Sequence, residues 1–390
     1  MSTQQAWIST PITHSIVRGA IELERTPRGL LPHRLPKWAR DQSSDPQLAM
    51  AEAQPSGVRL VFATSATAIE VDVLPTKRVY VGLPPRPDGI YELRVDGQLA
   101  GQASVTGGTI LHLNLAAGSV TTEAGPIGTL RFSNLGAGAK DIELWLPHNE
   151  TTELVALRSN APIEAIDRPG SRVWLHHGSS ISQGSNAASP TGIWPAVAAS
   201  AAGSELINLG FGGGALLDPF VARTMRDTSA DLISVKLGIN LVNMDLMRLR
   251  AFAPAVHGFL DTIREGHATT PLLVISPLYC PIHEDTPGPA QIDFSTGELQ
   301  FVAAGQPDDV ASGKLTLGVI RAALREIVAQ RAASDPYLFY LDGQALYGAA
   351  DHDRVPLPDR LHPDGPTHLL IGQRFAATAF ARGGAFEARG

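Results

Sequence analysis

The chain holds a single cysteine, Cys280, so no disulfide can close within it. A reducing compartment suits such a chain. Nowhere do about 18 apolar residues run together, which predicts no membrane-spanning helix. Positive charge is in deficit: 31 Lys and Arg stand against 38 Asp and Glu, a formal net charge of -7. A basic face for phosphate is therefore not expected, and nucleic acid is excluded as the main partner. The opening Met1-Ser2-Thr3-Gln4-Gln5-Ala6-Trp7 has no basic stretch leading into an apolar run. No secretory leader is read there, and a cytoplasmic location is the expectation. Two chemical signatures are also missing: the phosphate-loop pattern Gly-x-x-x-x-Gly-Lys-Ser/Thr and the Gly-x-Ser-x-Gly elbow.

What is present is core-forming material: 44% of the 390 residues are apolar and 18% charged. That length is long for one domain and comfortable for two. Residues 57–146 read as β-structure. Val58–Ala63, Thr67–Val73, Ile90–Val95, Thr109–Leu115, Thr129–Phe132 and Asp141–Leu146 are short apolar or alternating runs. Turn residues such as Asp96-Gly97 separate them, the pattern of a sandwich or jelly roll. Ile16–Leu23 adds an early strand, and residues 24–56, rich in Pro, Arg and Ser, read as irregular.

The pattern changes near residues 162–170, which divides the chain into an all-β domain over 1–165 and an α/β domain over 166–390. In the second, strands are expected at Val173–His177, Leu206–Leu209, Leu232–Leu237, Leu272–Ser276 and Tyr337–Leu341. Helices are expected at Ile193–Ala202, Pro219–Arg226, Met244–Arg264, Leu315–Ala332 and Thr367–Ala381. Leu315, Val319, Ala322 and Ala323 would form the core stripe of the fourth helix. Residues 281–313 read as an insertion, with His283-Glu284-Asp285 as a solvated acidic loop. Such alternation predicts a parallel sheet with helices on both faces, and ligands beyond the carboxyl ends of its strands.

Four of those strand ends carry polar or glycine-rich loops: Gly178-Ser179-Ser180, Gly210-Phe211-Gly212-Gly213-Gly214, Gly238-Ile239-Asn240, and Asp359-Arg360-Leu361-His362-Pro363-Asp364. Acyl transfer needs a nucleophile, a base, a group that orients the base, and donors for an oxyanion. Ser180 fills the first role, His362 the second, and Asp359, three residues before the histidine, the third. The backbone N–H groups of Ser180 and Gly213 and the side-chain amide of Asn240 fill the fourth. A neutral histidine base predicts activity that falls on acidification, since imidazole ordinarily titrates near 6.5. Ser179 and Ser182 are rival nucleophiles.

This constellation resembles the SGNH (GDSL-type) hydrolase family. Gly178-Ser179-Ser180-Ile181-Ser182 matches its first block and Asn208-Leu209-Gly210-Phe211-Gly212-Gly213 its second. Gly238-Ile239-Asn240 matches the third and Asp359-Arg360-Leu361-His362-Pro363 the last, so the likeness covers about residues 170–385. It implies a three-layer α/β/α domain with a flavodoxin-like sheet and no metal or organic cofactor. It also implies a Ser180–His362–Asp359 triad, with Gly213 and Asn240 completing the oxyanion hole. The family's register favours Ser180 over Ser179. Two departures stand out: Ser179 occupies a position where the family has Asp, and Leu241 follows Asn240 where the family's third block usually reads Gly-x-Asn-Asp. A β-rich domain ahead of this fold is similar to two-domain carbohydrate esterases that remove acetyl groups. The implied substrate is a small ester, with an acetylated carbohydrate or similar polar alcohol first. The N-terminal domain is left to roof the cleft, hold a glycan or form an oligomer contact.

The competing readings are weaker. Gly210-x-Gly212-x-x-Ala215 fits a dinucleotide fingerprint, but the next strand ends at Leu237-Gly238-Ile239-Asn240 without the acidic residue that would hold a ribose. His176 and His177 are adjacent on a strand, so they point to opposite faces and cannot share a metal ion. A glycan-binding protein with an idle hydrolase domain remains the reading from another class, and acyl transfer to an alcohol or thioesterase action would use the same triad.

Overall fold

A computed structural model of the chain describes residues 6–83, 86–114, 117–167, 170–295 and 297–388. They form two compact units. Residues 1–36, 52–170 and 189–191 make one; residues 37–51, 171–188 and 192–390 make the other.

The first unit is a sandwich of an eight-stranded and a six-stranded sheet. Nearly all pairings are antiparallel, the exception being the parallel pair Ala68–Tyr80 with Thr109–Asn114. Alternation builds the core: Phe62 faces Ile142 and Leu60 faces Leu144 across one ladder. These four join Val71, Tyr91, Leu130 and Leu154 in one buried cluster drawn from both sheets. Apolar area removed from water is what drives such a core together. The expected strands recur as Arg59–Thr64, Ala68–Tyr80, Tyr91–Val95, Thr109–Asn114, Gly128–Ser133 and Lys140–Trp145. The end expected at Leu115 lies outside the described residues.

Three features of this half of the chain differ from expectation. The strand over Ile16–Leu23 is instead Val17–Arg18 and Glu22–Arg25. Gly19 separates them at φ +85°, and a Cβ there would stand 2.5 Å from the Gly57 carbonyl oxygen. Residues 24–56 are not irregular: they hold the strand Leu30–His33 and the helices Lys37–Arg40 and Pro46–Ala53. Part of this stretch, residues 37–51, packs with the α/β unit. Gln47 Nε2 donates to the Gly212 carbonyl at 2.7 Å, and the Arg223 guanidinium sits 5.0 Å over the Trp38 ring.

The α/β unit is built on five parallel strands: β1 Val173–Gly178, β2 Glu205–Gly210, β3 Leu232–Lys236, β4 Leu272–Ile275 and β5 Leu338–Leu341. Their spatial order is β2-β1-β3-β4-β5, the flavodoxin-like arrangement whose switch point lies between β1 and β3. Side chains of β1 alternate between two helical layers. Trp174 stacks on Phe375 of helix Gly365–Ala379 and lies against Trp194 of helix Trp194–Ala201. His177, on the other face, stacks on Phe259 of helix Leu249–Gly266. Helices on both faces make the three layers.

Other corrections concern the second half of this unit. The helix expected over Met244–Arg264 starts later, as Leu249–Gly266. A separate short helix, Ile239–Asn243, stands before it where a loop was expected, and Asp245 at φ +47° lies between the two. Helix Leu317–Ala332 begins after Thr316, whose side chain accepts from the Val319 N–H. Its buried face is Leu317, Ile320, Leu324, Ile327 and Val328. Of the expected stripe, Leu315 is buried just ahead of the helix, but Val319 and Ala323 are half-buried and Ala322 is exposed, so within the helix the buried face lies one position further on. The His283-Glu284-Asp285 loop is not solvated throughout: His283 is buried, and Glu284 forms a bidentate pair with Arg321. The insertion itself carries a hairpin, Ala290–Asp293 with Gln300–Ala303. No helix of the described residues is long and apolar enough to cross a membrane.

Candidate active site

β1 and β2 end in glycine and β3 ends two residues before Gly238, and after each glycine the chain turns sharply. After Gly178, Ser179 caps a one-turn helix, Ser180–Gln183, with Ser180 in its first position. A Cβ on Gly210 at the end of β2 would stand 2.5 Å from the Gln183 nitrogen. Only glycine lets that short helix lie so close to the neighbouring strand. Gly238, after β3, has φ +127°, and a Cβ there would meet Pro277 at 2.8 Å.

Ser180 Oγ lies 3.0 Å from His362 Nε2. His362 Nδ1 lies 2.8 Å from Asp359 Oδ2. The second carboxylate oxygen, Oδ1, accepts the backbone N–H groups of His362 at 2.7 Å and Leu361 at 2.9 Å. Asn186 Nδ2 adds a fourth donor, 3.2 Å from Oδ2. Burial works to raise the Asp359 pKa, but the His362 contact and these backbone donors outweigh it and hold the carboxyl below its ordinary value. An ionised carboxylate only accepts, so the imidazole proton sits on Nδ1 and Nε2 faces Ser180 as an acceptor.

The rival serines are engaged differently. Ser182 Oγ is 2.8 Å from His176 Nε2, and His176 Nδ1 is 2.7 Å from Ser234 Oγ, deep under the loop. Ser179 Oγ is buried without a hydrogen-bond partner. Of the three, Ser180 alone meets the His362 ring.

The expected oxyanion donors lie on the two adjacent strand ends. The Gly212 N–H is taken by Gln183 Oε1 at 2.6 Å, whereas the N–H groups of Ser180 and Gly213 have no partner among the described residues. A Cβ on Gly212 would stand 3.6 Å from Ser180 Cβ, so this turn runs alongside the serine. Gly213 has φ +76°. Asn240 is buried, and its Oδ1 accepts the Ala215 N–H at 3.2 Å. That contact fixes the amide orientation and leaves its NH₂ group to donate elsewhere.

Several residues at the site escaped the sequence reading. Gln183, Asn186 and Ala215 hold the loops through the bonds above. Phe301, in the insertion hairpin, presents its ring to His362 in an edge contact at 5.5 Å, and its N–H donates to the Asp359 carbonyl at 3.0 Å. Nothing in the residue types signals these contacts. A cleft of about 480 Å³ beside the same loop is lined by residues including Ile282, Gln300, His352, Leu357 and Arg360. Ser180 itself does not line it.

Residues 172–280 match the GDSL-like Lipase/Acylhydrolase family. No curated protein matches the chain. Among solved structures, the salicylyl-acyltransferase SsfX3 from a tetracycline biosynthetic pathway is 28% identical, with 95% of each chain covered and a TM-score of 0.77. A protein described as a GDSL-like lipase from Bacteroides ovatus is 19% identical, again with 95% of each chain covered and a TM-score of 0.64. A family two carbohydrate esterase from Cellvibrio japonicus is 11% identical, covering 95% of this chain and 96% of that one, with a TM-score of 0.55.

Proposed function

We propose that this chain, whose α/β unit belongs to the GDSL/SGNH hydrolase family, hydrolyses a short-chain carboxylic ester through an acyl-serine intermediate on Ser180. The observation that carries the reading is the run of contacts from Ser180 Oγ to His362 Nε2 at 3.0 Å and from His362 Nδ1 to Asp359 at 2.8 Å. Ser180 Oγ attacks the ester carbonyl while its proton passes to His362 Nε2. Asp359 holds the Nδ1–H and stabilises the imidazolium. The tetrahedral oxyanion is received by the N–H groups of Ser180 and Gly213 and the amide of Asn240, donors of the kind whose loss costs roughly 10²–10³ in rate. His362 then gives its proton to the departing alkoxide, and water, deprotonated by the same nitrogen, releases the acid.

The substrate proposed first is an acetyl ester of a carbohydrate or a similar polar alcohol. It draws on the β-sandwich ahead of the hydrolase fold, a layout shared with a family two carbohydrate esterase. The test of the chemistry is turnover of p-nitrophenyl acetate by Ser180→Ala. We expect a loss of about 10⁴-fold or more in kcat; wild-type turnover would remove Ser180 as nucleophile.

A second reading keeps the acyl-serine and changes the acceptor. The specific observation in its favour is the 28% identity, over 95% of both chains, to a salicylyl-acyltransferase. Product analysis in mixtures of water and competing alcohols separates the two. A hydrolase yields free acid throughout, whereas a transferase yields new ester at alcohol concentrations far below that of water.

A further inference from the structure

Lys236 closes β3 and is 2% exposed. The register of β1 and β3 pairs His176 with Ser234, so Lys236, two residues on, projects from the same face beneath the catalytic loop. Its ammonium makes no hydrogen bond or ion pair among the described residues. It lines a narrow cavity with Ile181, Leu278, Cys280, Leu361 and Pro363, among others. Ile181 and Pro363 directly follow Ser180 and His362, so the cavity lies just behind that pair.

We propose that Lys236 and this cavity form a binding site for a small monovalent anion of halide size. The groups that face the lysine supply no negative charge. Burial pushes the Cys280 thiol up to about 12, so it stays protonated. Burial also holds His176 well below its ordinary value and His368 at about 4, so both are neutral near pH 7. Two acids act on Cys280 from nearby, and both are already engaged: Glu284 by Arg321 in two contacts and Asp359 by His362. A buried cation without a counter-charge is costly, and the cost is relieved either by losing the proton or by acquiring an anion. The first tendency is visible in Lys236 itself, which burial draws down to about 8. Near neutral pH the ammonium is still the major form, and the need for a counter-charge remains. Size selects the ion. The space open to the centre of a water-sized group is about 10 Å³, enough for one water or one small ion. Phosphate, sulfate and a carboxylate on a carbon chain are too large, and the walls are mostly aliphatic.

The test measures the unfolding temperature of the full chain at constant ionic strength as sodium gluconate is replaced by chloride or bromide. Gluconate is too large for the cavity. We expect a saturable rise of about 2–3 °C in either halide at tenfold excess over Kd, and no such rise in Lys236→Met. Equal unfolding temperatures in gluconate and halide for the wild type would overturn the proposal. So would an equal halide effect in wild type and variant, which would mark a general salt response. Should Lys236→Met fail to fold, wild-type crystals grown in bromide decide the matter by anomalous scattering. A peak within contact distance of Lys236 Nζ supports the site, and a water there without anomalous signal sinks it. Flat halide curves, together with altered KM for esters of different acyl groups in a folded Lys236→Met, would make the cavity part of the substrate pocket and refute the anion site.

Discussion

Glu150 in the sandwich and Asp359 in the α/β unit are both largely buried carboxylates, and their acidities move in opposite directions. Glu150 accepts a single backbone N–H, from Gly89 at 2.8 Å, and burial dominates, raising its pKa to about 7. Asp359 also meets burial as its largest influence, but the His362 ring and two backbone N–H groups bring its pKa below the ordinary value. Burial alone therefore makes a carboxyl that resists ionisation. Donors converging on both oxygens make one that stays charged and holds a tautomer. The α/β unit also buries His176, Ser182, Asn208 and Ser234 beneath its catalytic loop. Buried polar groups that satisfy one another fix one arrangement rather than many.

The sharpest way to break the comparison is to remove the charge from Asp359 and leave its shape. In Asp359→Asn, the amide oxygen can still accept the Leu361 and His362 N–H groups. The amide nitrogen would face His362 Nδ1 and donate to it, which forces the ring proton onto Nε2, opposite Ser180. That tautomer cannot take the serine proton. We expect kcat on p-nitrophenyl acetate to fall by about 10⁴-fold with little change in unfolding temperature. A variant that keeps a tenth or more of wild-type turnover would show that the carboxylate charge does not govern the site.

Glu150 gives the next effect, in the opposite unit and with the opposite sign. Its folded pKa lies above its unfolded value of about 4.3. The cost of ionising it in the folded state is therefore absent below about pH 4 and grows as pH rises, levelling above about 7. The stability of the sandwich should fall across that window by an amount on the order of 3 kcal/mol. Glu150→Gln keeps the acceptor for Gly89 and removes the titration, so its unfolding curve should lose this part of the pH dependence. A mutant that tracks the wild type from pH 4.5 to 8 would assign the titration to another group.

The order of these elements was largely legible, because each rests on a local rule. Strand ends followed by Gly178, Gly210 and Gly238 are turn chemistry, and Asp359 with His362 three residues later is a short-range spacing. What was hidden depends on contacts distant in sequence. Residues 37–51 look irregular from composition, yet Gln47 meets Gly212 at 2.7 Å across 165 positions. The strand Thr151–Ser159 is fixed by pairing with Ala68–Tyr80, and its mixed polar and apolar residues announce no partner. The exposed strand Ser119–Glu123 has no buried face to leave a pattern. The late start of helix Leu249–Gly266 escaped because Met244 and Leu246 ahead of it are apolar, yet both are exposed outside the helix.

Phe301 carries the smallest expected effect and tests whether the insertion takes part in the chemistry. Its ring edge meets His362 at 5.5 Å, while its N–H contact to Asp359 belongs to the backbone and survives substitution. Phe301→Ala therefore removes the ring contact and leaves the loop anchor. An aromatic contact of this kind is worth about 0.5–1.5 kcal/mol, which corresponds to a fall of about 2- to 10-fold in kcat if the ring steadies His362. KM for a small ester such as p-nitrophenyl acetate should change little, because such a substrate need not reach the hairpin. Phe301→Tyr should restore kcat, since it returns the ring. Were kcat unchanged and only KM for larger esters raised, Phe301 would be a wall of the cleft, and the insertion would shape the substrate without touching the base.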